Sequence, residues 1–528
     1  MCHDRRRTDT NAARECGMKR LALVISFLCI ATLARAAEKA EHVVVVVWDG
    51  MRPDFVTESN TPTLYQLAHD GVFFQNHHAV YPSTTEVNAT AMATGAYPNR
   101  SGLMGNREYR PRIDPLKRID TQSLDVVRKG DELTHNHYLL LPTIAEILQH
   151  AGKKTAIAGT KPVAVLFDRL ETGRACSDCL DLFAHETVPA AALAQLKLPV
   201  FTPQENPNVR QDEATAEALI GPMWDKGVPA FSLLWLSEPD FAQHASGLGS
   251  TADHKALKSS DDNLSRVLKE LAARGVRDKT DVFVISDHGF STVSRMVDLA
   301  HKLNAAGFHA VRDFQQARVE GDIFAIGNSG TEFLYVIGHD RALVQKIVHF
   351  LQAQDYTGVI FTREPLEGTF TLDQVRIDTP DAPDIVVAFR WNAEKNDANI
   401  PGMIISDGGY GAGRGTHGTL SPFDMRNTLV AAGPDFRRDW IDQLPSGNPD
   451  LAPTILHILG VSAPDRMDGR VLSEAMTTEK TTLTPIEVHT QETSCDLTNA
   501  VWHQYLRVTE FSGATYFDEG NGYAAPKK

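Results

Sequence analysis

Cysteine is scarce in this chain. Only six occur in 528 residues, and three of them, Cys2, Cys16 and Cys29, fall within the first 36. The remaining Cys176, Cys179 and Cys495 are too few for a disulfide-stapled scaffold or a four-thiolate zinc site. Cys176 and Cys179 form a C-x-x-C, which in an exported chain favours a local loop disulfide over a redox centre, and leaves Cys495 without a partner. Positive charge is also short. The chain carries 52 Lys and Arg against 67 Asp and Glu, a net charge of -15; without residues 1–36, which hold seven basic and three acidic residues, it is -19. That balance excludes a basic groove for duplex DNA, so a phosphate-bearing substrate must be drawn in by local charge, for which bound cations are the natural source. No apolar run after residue 36 is long enough to span a bilayer, and there is no internal repeat or low-complexity tract.

The N-terminus reads differently from the rest. Met18, Lys19 and Arg20 precede an apolar run over 21–34, followed by the small-x-small site Ala34-Arg35-Ala36. This is the pattern of a secretory leader over 1–36, which implies an exported protein, periplasmic or secreted. Hydrophobic residues make up 42% of the chain, enough for a large core in one α/β domain with insertions or in two domains.

The stretch 43–106 organises the remainder. Five consecutive valines and Trp48 cannot alternate apolar and polar faces, so 43–48 is expected as a parallel strand buried on both sides and ended by Asp49-Gly50. A carboxylate at the carboxyl end of a central strand lies where open α/β sheets bind ligands, and an apolar strand gains nothing from an acid there. Asp49 is therefore the first metal-ligand candidate. Pro82-Ser83-Thr84-Thr85-Glu86 reads as a helix start, with either threonine able to cap it and a hydroxyl at its positive end.

Helical patterns over 61–71, 143–152, 212–227, 261–275 and 450–460 alternate with strand patterns over 43–48, 154–159, 231–236, 281–286 and 427–433. This rhythm predicts an α/β fold with a mostly parallel central sheet and helices on both faces. Residues 176–210 read as an irregular excursion. Between 293 and 399 the pattern changes to strands over 332–338, 357–362 and 384–390 around a helix over 341–354, an inserted α+β cap subdomain. The expected organisation is thus a leader (1–36), a catalytic core in two parts (37–292 and 400–480) around the cap (293–399), and a C-terminal β extension (481–528) with an aromatic ribbon over 501–516.

Further candidates stand at strand ends and in a loop. Asp240 and His244, four apart in PDFAQH, share one face of a helical turn. Asp287 and His288 follow the strand over 281–286, and His417 sits in the glycine-rich GGYGAGRGTHG. With Asp49 these make three Asp and three His. Six oxygen and nitrogen donors without thiolate suit two cations such as zinc with three protein ligands each, leaving open positions as catalytic sites do.

In order along the chain, D-G-x-R at Asp49, P-S-T-T around Thr85, G-x-x-G-N ending at Asn106, P-D-x-x-x-H at Asp240, S-D-H-G at Asp287 and G-x-H-G at His417 resemble the alkaline phosphatase superfamily. Within it they are most similar to the type I phosphodiesterase and nucleotide pyrophosphatase family, over about 43–472, including M-D-G-R-V-L at Met467. The resemblance implies that Asp240, His244 and His417 hold one zinc ion and Asp49, Asp287 and His288 the other, with manganese the alternative metal. It implies Thr85 as the nucleophile bridging toward both, Asn106 as a donor to a phosphoryl oxygen, and a small phosphoester, nucleotides among the candidates, as substrate. Asn88, three residues after Thr85, is expected to be structural.

Lys161 departs from that pattern. Diester-cleaving relatives usually lack a lysine there, whereas some relatives acting on monoesters or phosphonoacetate have one. It therefore reads either as a substrate-binding ammonium or as a solvated surface residue. The function expected is a two-metal phosphodiesterase or nucleotide pyrophosphatase working through phosphothreonine. The alternatives are a phosphomonoesterase or phosphonate hydrolase using Lys161 and, in another class, a non-catalytic phospho-ligand or metal-binding protein. No C-x-P-x-R string is present, which argues against a sulfatase.

Overall fold

The computed structural model describes residues 39–527 apart from 171–174, 177, 185, 197–204, 464–465 and 479–483. The leader expected over 1–36 lies outside the described residues. His42–Trp48 is the middle of a nine-stranded sheet, paired in parallel with Thr280–Ile285 on one side and Phe231–Leu236 on the other. Its unbroken apolar run has a direct reason. Val43, Val45 and Val47 face one hydrophobic core, while Val44, Val46 and Trp48 face a second core across the sheet. Full burial of each such side chain contributes about 1.5–3 kcal/mol, so neither face tolerates a polar substitution.

The sheet order is Trp440–Asp442, Val72–Phe74, Leu429–Ala432, Thr280–Ile285, His42–Trp48, Phe231–Leu236, Thr155–Gly159, Leu180–Phe183, Glu186–Val188. Its middle is parallel; Leu429–Ala432 and Glu186–Val188 run antiparallel to their neighbours nearer the centre. Helices cover both faces. Thr85–Thr94, Ile144–His150 and Leu451–Ile458 pack into one core through Val87, Met92, Leu148 and Ile455; Pro62–Asp70, Val209–Ile220 and Thr251–Ala273 pack into the other through Leu64, Leu219 and Leu264.

Several local expectations are corrected. Residues 176–210 are not wholly irregular, since Leu180–Phe183 adds a parallel strand beside Thr155–Gly159. Two others hold: Cys176 and Cys179 are bridged, and Cys495 is a buried free thiol. The helix expected over 212–227 ends at Ile220, before the break at Pro222, and the one expected over 261–275 begins ten residues earlier, at Thr251. At the start of Pro62–Asp70 the Thr61 side chain makes no capping bond, and the peptide N–H groups of Thr63 and Leu64 donate instead to Asp261 at 3.1 and 2.9 Å.

A six-stranded, mostly antiparallel sheet is built from residues 310–389. Alternate residues face two ways: Leu334, Ile360 and Val387 meet Ile347 and Leu351 of the helix Arg341–Gln352, while Phe324, Phe333 and Phe361 enter the main core. The tail forms three antiparallel strands, Glu487–Asp496, Ala500–Phe511 and Ala514–Pro526. Gln504 docks them on the six-stranded sheet by hydrogen bonds to both the N–H and the carbonyl of Ile360. No described helix is long and apolar enough to cross a membrane.

Candidate metal and nucleophile site

Four adjacent parallel strands end at one edge of the main sheet, and each delivers side chains there. Asp49 follows His42–Trp48, Asp287 and His288 follow Thr280–Ile285, Asp240 and His244 follow Phe231–Leu236, and Lys161 follows Thr155–Gly159. The turn after Asp49 needs glycine. Gly50 has φ +72°, and a Cβ there would lie 2.8 Å from the Phe290 ring. Its N–H donates to Asp287 Oδ1 at 3.0 Å, so the turn also aims the neighbouring ligand.

Two trios of potential ligand atoms converge, Asp240 with His244 and His417, and Asp49 with Asp287 and His288, each within 4.8 Å. The finer geometry fits two cations. Each histidine engages a backbone carbonyl through Nδ1: His244 with Gly415 at 2.8 Å, His288 with Gly289 at 2.9 Å and His417 with Ser83 at 2.8 Å. That pairing places the proton on Nδ1 and leaves each Nε2 lone pair for a metal. The carboxylates follow the same rule. Asp49 Oδ2 accepts from Trp235 Nε1 at 2.8 Å, Asp287 Oδ1 from Gly50, and Asp240 Oδ2 from Lys161 at 3.1 Å. The other oxygen of each, Asp49 Oδ1, Asp240 Oδ1 and Asp287 Oδ2, is buried without a hydrogen-bond partner. Six buried acceptors facing one another is an arrangement that only cations or protons can satisfy.

The electrostatics of the cluster agree. Burial, reinforced by Asp287, pushes the Asp49 carboxyl well above the usual carboxylate range. Burial opposes charge on His288, but the field of Asp287 and Asp49 outweighs it and pushes the imidazole up to about 9. His417 is held well below its ordinary value by burial and by the neighbouring His288 and His244. The field of the cluster thus favours a proton on Asp49 and on His288 and disfavours one on His417.

Thr85 is the first residue of Thr85–Thr94, and its Oγ1 lies 3.2 Å from His288 Nε2. Thr84, the N-cap, makes no side-chain capping bond, and its hydroxyl is buried without a partner. Asn106 Oδ1 accepts from the Glu86 N–H at 3.2 Å, and the residue lines the cleft beside Thr85. Asn88 does not reach the cleft. It holds the turn before Thr85, accepting from Val80 N at 2.6 Å and donating to the carbonyls of Val80 and Thr84 at 3.1 and 3.0 Å.

The cleft encloses about 770 Å³ and is lined by Thr85, Asn106, Lys161, Asp240, His244 and His417 together with residues that sequence reasoning did not single out. Among these, Tyr410 stacks on His244 with centroids 4.1 Å apart, and Phe241, Glu86 and Arg107 form further wall. Trp235 was also missed: in the sequence it is one of five apolar residues in a six-residue strand, and only the sheet register brings its N–H to Asp49.

Residues 43–418 match the model of the type I phosphodiesterase/nucleotide pyrophosphatase family. The chain is 23% identical over 276 residues to mouse ectonucleotide pyrophosphatase/phosphodiesterase family member 3, covering 50% of this chain but 27% of that protein. It is 21% identical over 429 residues to a bis(5'-adenosyl)-triphosphatase of Xenopus laevis, covering 79% of this chain and 78% of that one. Among solved structures, murine ectonucleotide pyrophosphatase/phosphodiesterase 5 in an inactive form with AMP superimposes with TM-score 0.58 at 17% identity, over 80% of this chain and 96% of that one. The human counterpart gives 0.60 at 17% identity, over 83% and 100%.

Proposed function

Because this chain belongs to the type I phosphodiesterase/nucleotide pyrophosphatase family, we propose that it is an exported two-cation phosphodiesterase that cleaves small, nucleotide-like phosphoesters through a phosphothreonine. The observation that carries this reading is the set of six buried ligand atoms in two trios, three of them carboxylate oxygens without a hydrogen-bond partner, with the Thr85 hydroxyl 3.2 Å from one, His288 Nε2. Asp240, His244 and His417 would hold one ion and Asp49, Asp287 and His288 the other. Zinc suits the donors, and when bound such ions favour an alkoxide at Thr85 and stabilise charge on both the attacking and the leaving oxygen.

The chain's own residues supply the remainder. Thr85 Oγ1 attacks phosphorus, the ester oxygen leaves with its electron pair, and water then displaces Thr85 in a second in-line step. Two inversions give retention at phosphorus. The N-terminus of Thr85–Thr94 points its positive end at the transferring group, and the Asn106 amide, its oxygen held by the Glu86 N–H, is left to donate to a phosphoryl oxygen. The AMP held by the murine neighbour supports a nucleotide-like substrate. Residues 293–399, which contain the six-stranded sheet, are proposed as the cap inserted in the catalytic core.

Thr85→Ala tests the reading. The variant is expected to keep its bound metal while hydrolysis of bis-p-nitrophenyl phosphate falls by at least about a thousand-fold. Undiminished turnover would sink the proposal. A second reading, a phosphomonoesterase or phosphonoacetate hydrolase, draws on Lys161 in the cleft wall. Rates on mono- and bis-p-nitrophenyl phosphate and on phosphonoacetate decide between them.

A further inference from the structure

Lys161 Nζ lies 2.9 Å from Asp49 Oδ2 and 3.1 Å from Asp240 Oδ2. The other oxygen of each carboxylate faces a histidine, Asp49 Oδ1 3.7 Å from His288 Nε2 and Asp240 Oδ1 3.2 Å from His244 Nε2. Both of these oxygens are buried without a hydrogen-bond partner. Asp49 belongs to one donor trio and Asp240 to the other, so a single ammonium ties one ligand of each. The lysine is itself 9% exposed, and its Nζ stands 5.3 Å over the ring of Phe241.

From this geometry we infer that Lys161 is a positioning residue: an internal counter-ion that joins the two cation sites and fixes Asp49 and Asp240 so that each presents one oxygen to the cluster. Two of its three N–H groups are committed to these carboxylates rather than to substrate. Without it, three buried aspartates face one another with less compensation, and Asp240 loses the donor that sets its rotamer. An ammonium held in this way gives a doubly charged terminal phosphate no special advantage over a diester. The inference rests on the two-cation reading for where metal binds, but its first measurement is made without metal, so the two can fail separately.

The test compares the full-length wild type with Lys161→Met, each stripped by chelator and melted, then melted with saturating zinc and assayed for bound zinc. Stripped Lys161→Met is expected to melt several degrees below stripped wild type, and zinc is expected to close most of that gap, because two divalent ions replace the lost charge. With zinc loaded, kcat/KM for bis-p-nitrophenyl phosphate and for p-nitrophenyl phosphate should fall by the same factor, about 10- to 100-fold. Equal melting of the stripped proteins, or a loss confined to the monoester, would overturn the inference and make Lys161 a substrate ligand. If Lys161→Met does not fold, the double variant Lys161→Met/Asp240→Asn, which restores the charge balance, is expected to fold. Failure of that variant as well would also overturn the inference. A wild type that binds no zinc while the stripped difference persists would sink the two-cation reading and leave the clamp standing.

Discussion

Thr84 and Thr85 are adjacent, chemically identical and both buried, yet they face different surroundings. Thr85 Oγ1 meets His288, while the Thr84 hydroxyl meets no partner. Replacing each by the isosteric valine separates the two. Thr84→Val is expected to leave kcat/KM within about threefold and to raise stability by roughly 1 kcal/mol, since an unsatisfied buried hydroxyl is removed. Thr85→Val should abolish turnover. Thermal melts beside kinetics check both, and a dead Thr84→Val enzyme would reverse the assignment. Asn88 makes the complementary case. Its amide binds Val80, Thr84 and, through its oxygen, Asn448 Nδ2 at 2.8 Å. Asn88→Ala should cost about 2–4 kcal/mol of stability and misplace the Thr85 turn, read as a lower Tm together with reduced kcat.

The hairpin that joins Ile323–Asn328 to Thr331–Val336 holds the His417 loop. Gly330 N donates to the His417 carbonyl at 2.8 Å, and the Thr331 hydroxyl donates to the Gly418 carbonyl at 2.6 Å. Asn328 grips the peptide of Arg107 from both sides, donating to its carbonyl at 3.0 Å and accepting from its N–H at 2.9 Å. The six-stranded sheet thus positions a metal-ligand candidate and the segment beside Asn106. Gly418 is the tight point: its φ is +102°, and a Cβ would fall 2.7 Å from the Asn328 carbonyl. Gly418→Ala is expected to push the loop outward and lower bound zinc from two towards one per chain, which elemental analysis measures. Unchanged zinc content would show that the loop adapts. None of this was legible locally, because residues 328–331 and 417–418 meet only through folding. The β-strand run of valines and the Asp240/His244 pair were legible, since their periodicity is a local property.

Across the molecule, buried acids stand at both ends of the central sheet. At the end remote from the site, burial and the neighbouring Asp435 push Asp281 well above the usual carboxylate range. Because the folded state binds this proton more tightly than the unfolded chain, its contribution to stability is complete below the unfolded value near 4 and is lost as pH rises through the raised one. Asp281→Asn keeps an acceptor for the Asp435 N–H, which donates to Asp281 Oδ1 at 3.3 Å, and removes the titration. The variant should melt above wild type at pH 8, with the gap closing towards pH 4, and its activity should be unchanged; a constant gap would refute the linkage.

By itself the sequence indicated the alternation of the central strands and helices, the mostly parallel sheet and the candidate donor residues, because apolar period, strand-end acids and short motifs act over a few residues. Only the tertiary structure decided which oxygen of each aspartate is free, which threonine meets His288, and that Lys161 spans both trios. Those outcomes depend on groups 79 to 237 residues apart in the chain brought within hydrogen-bond reach, and such distances are set by sheet register and packing rather than by any neighbouring residue.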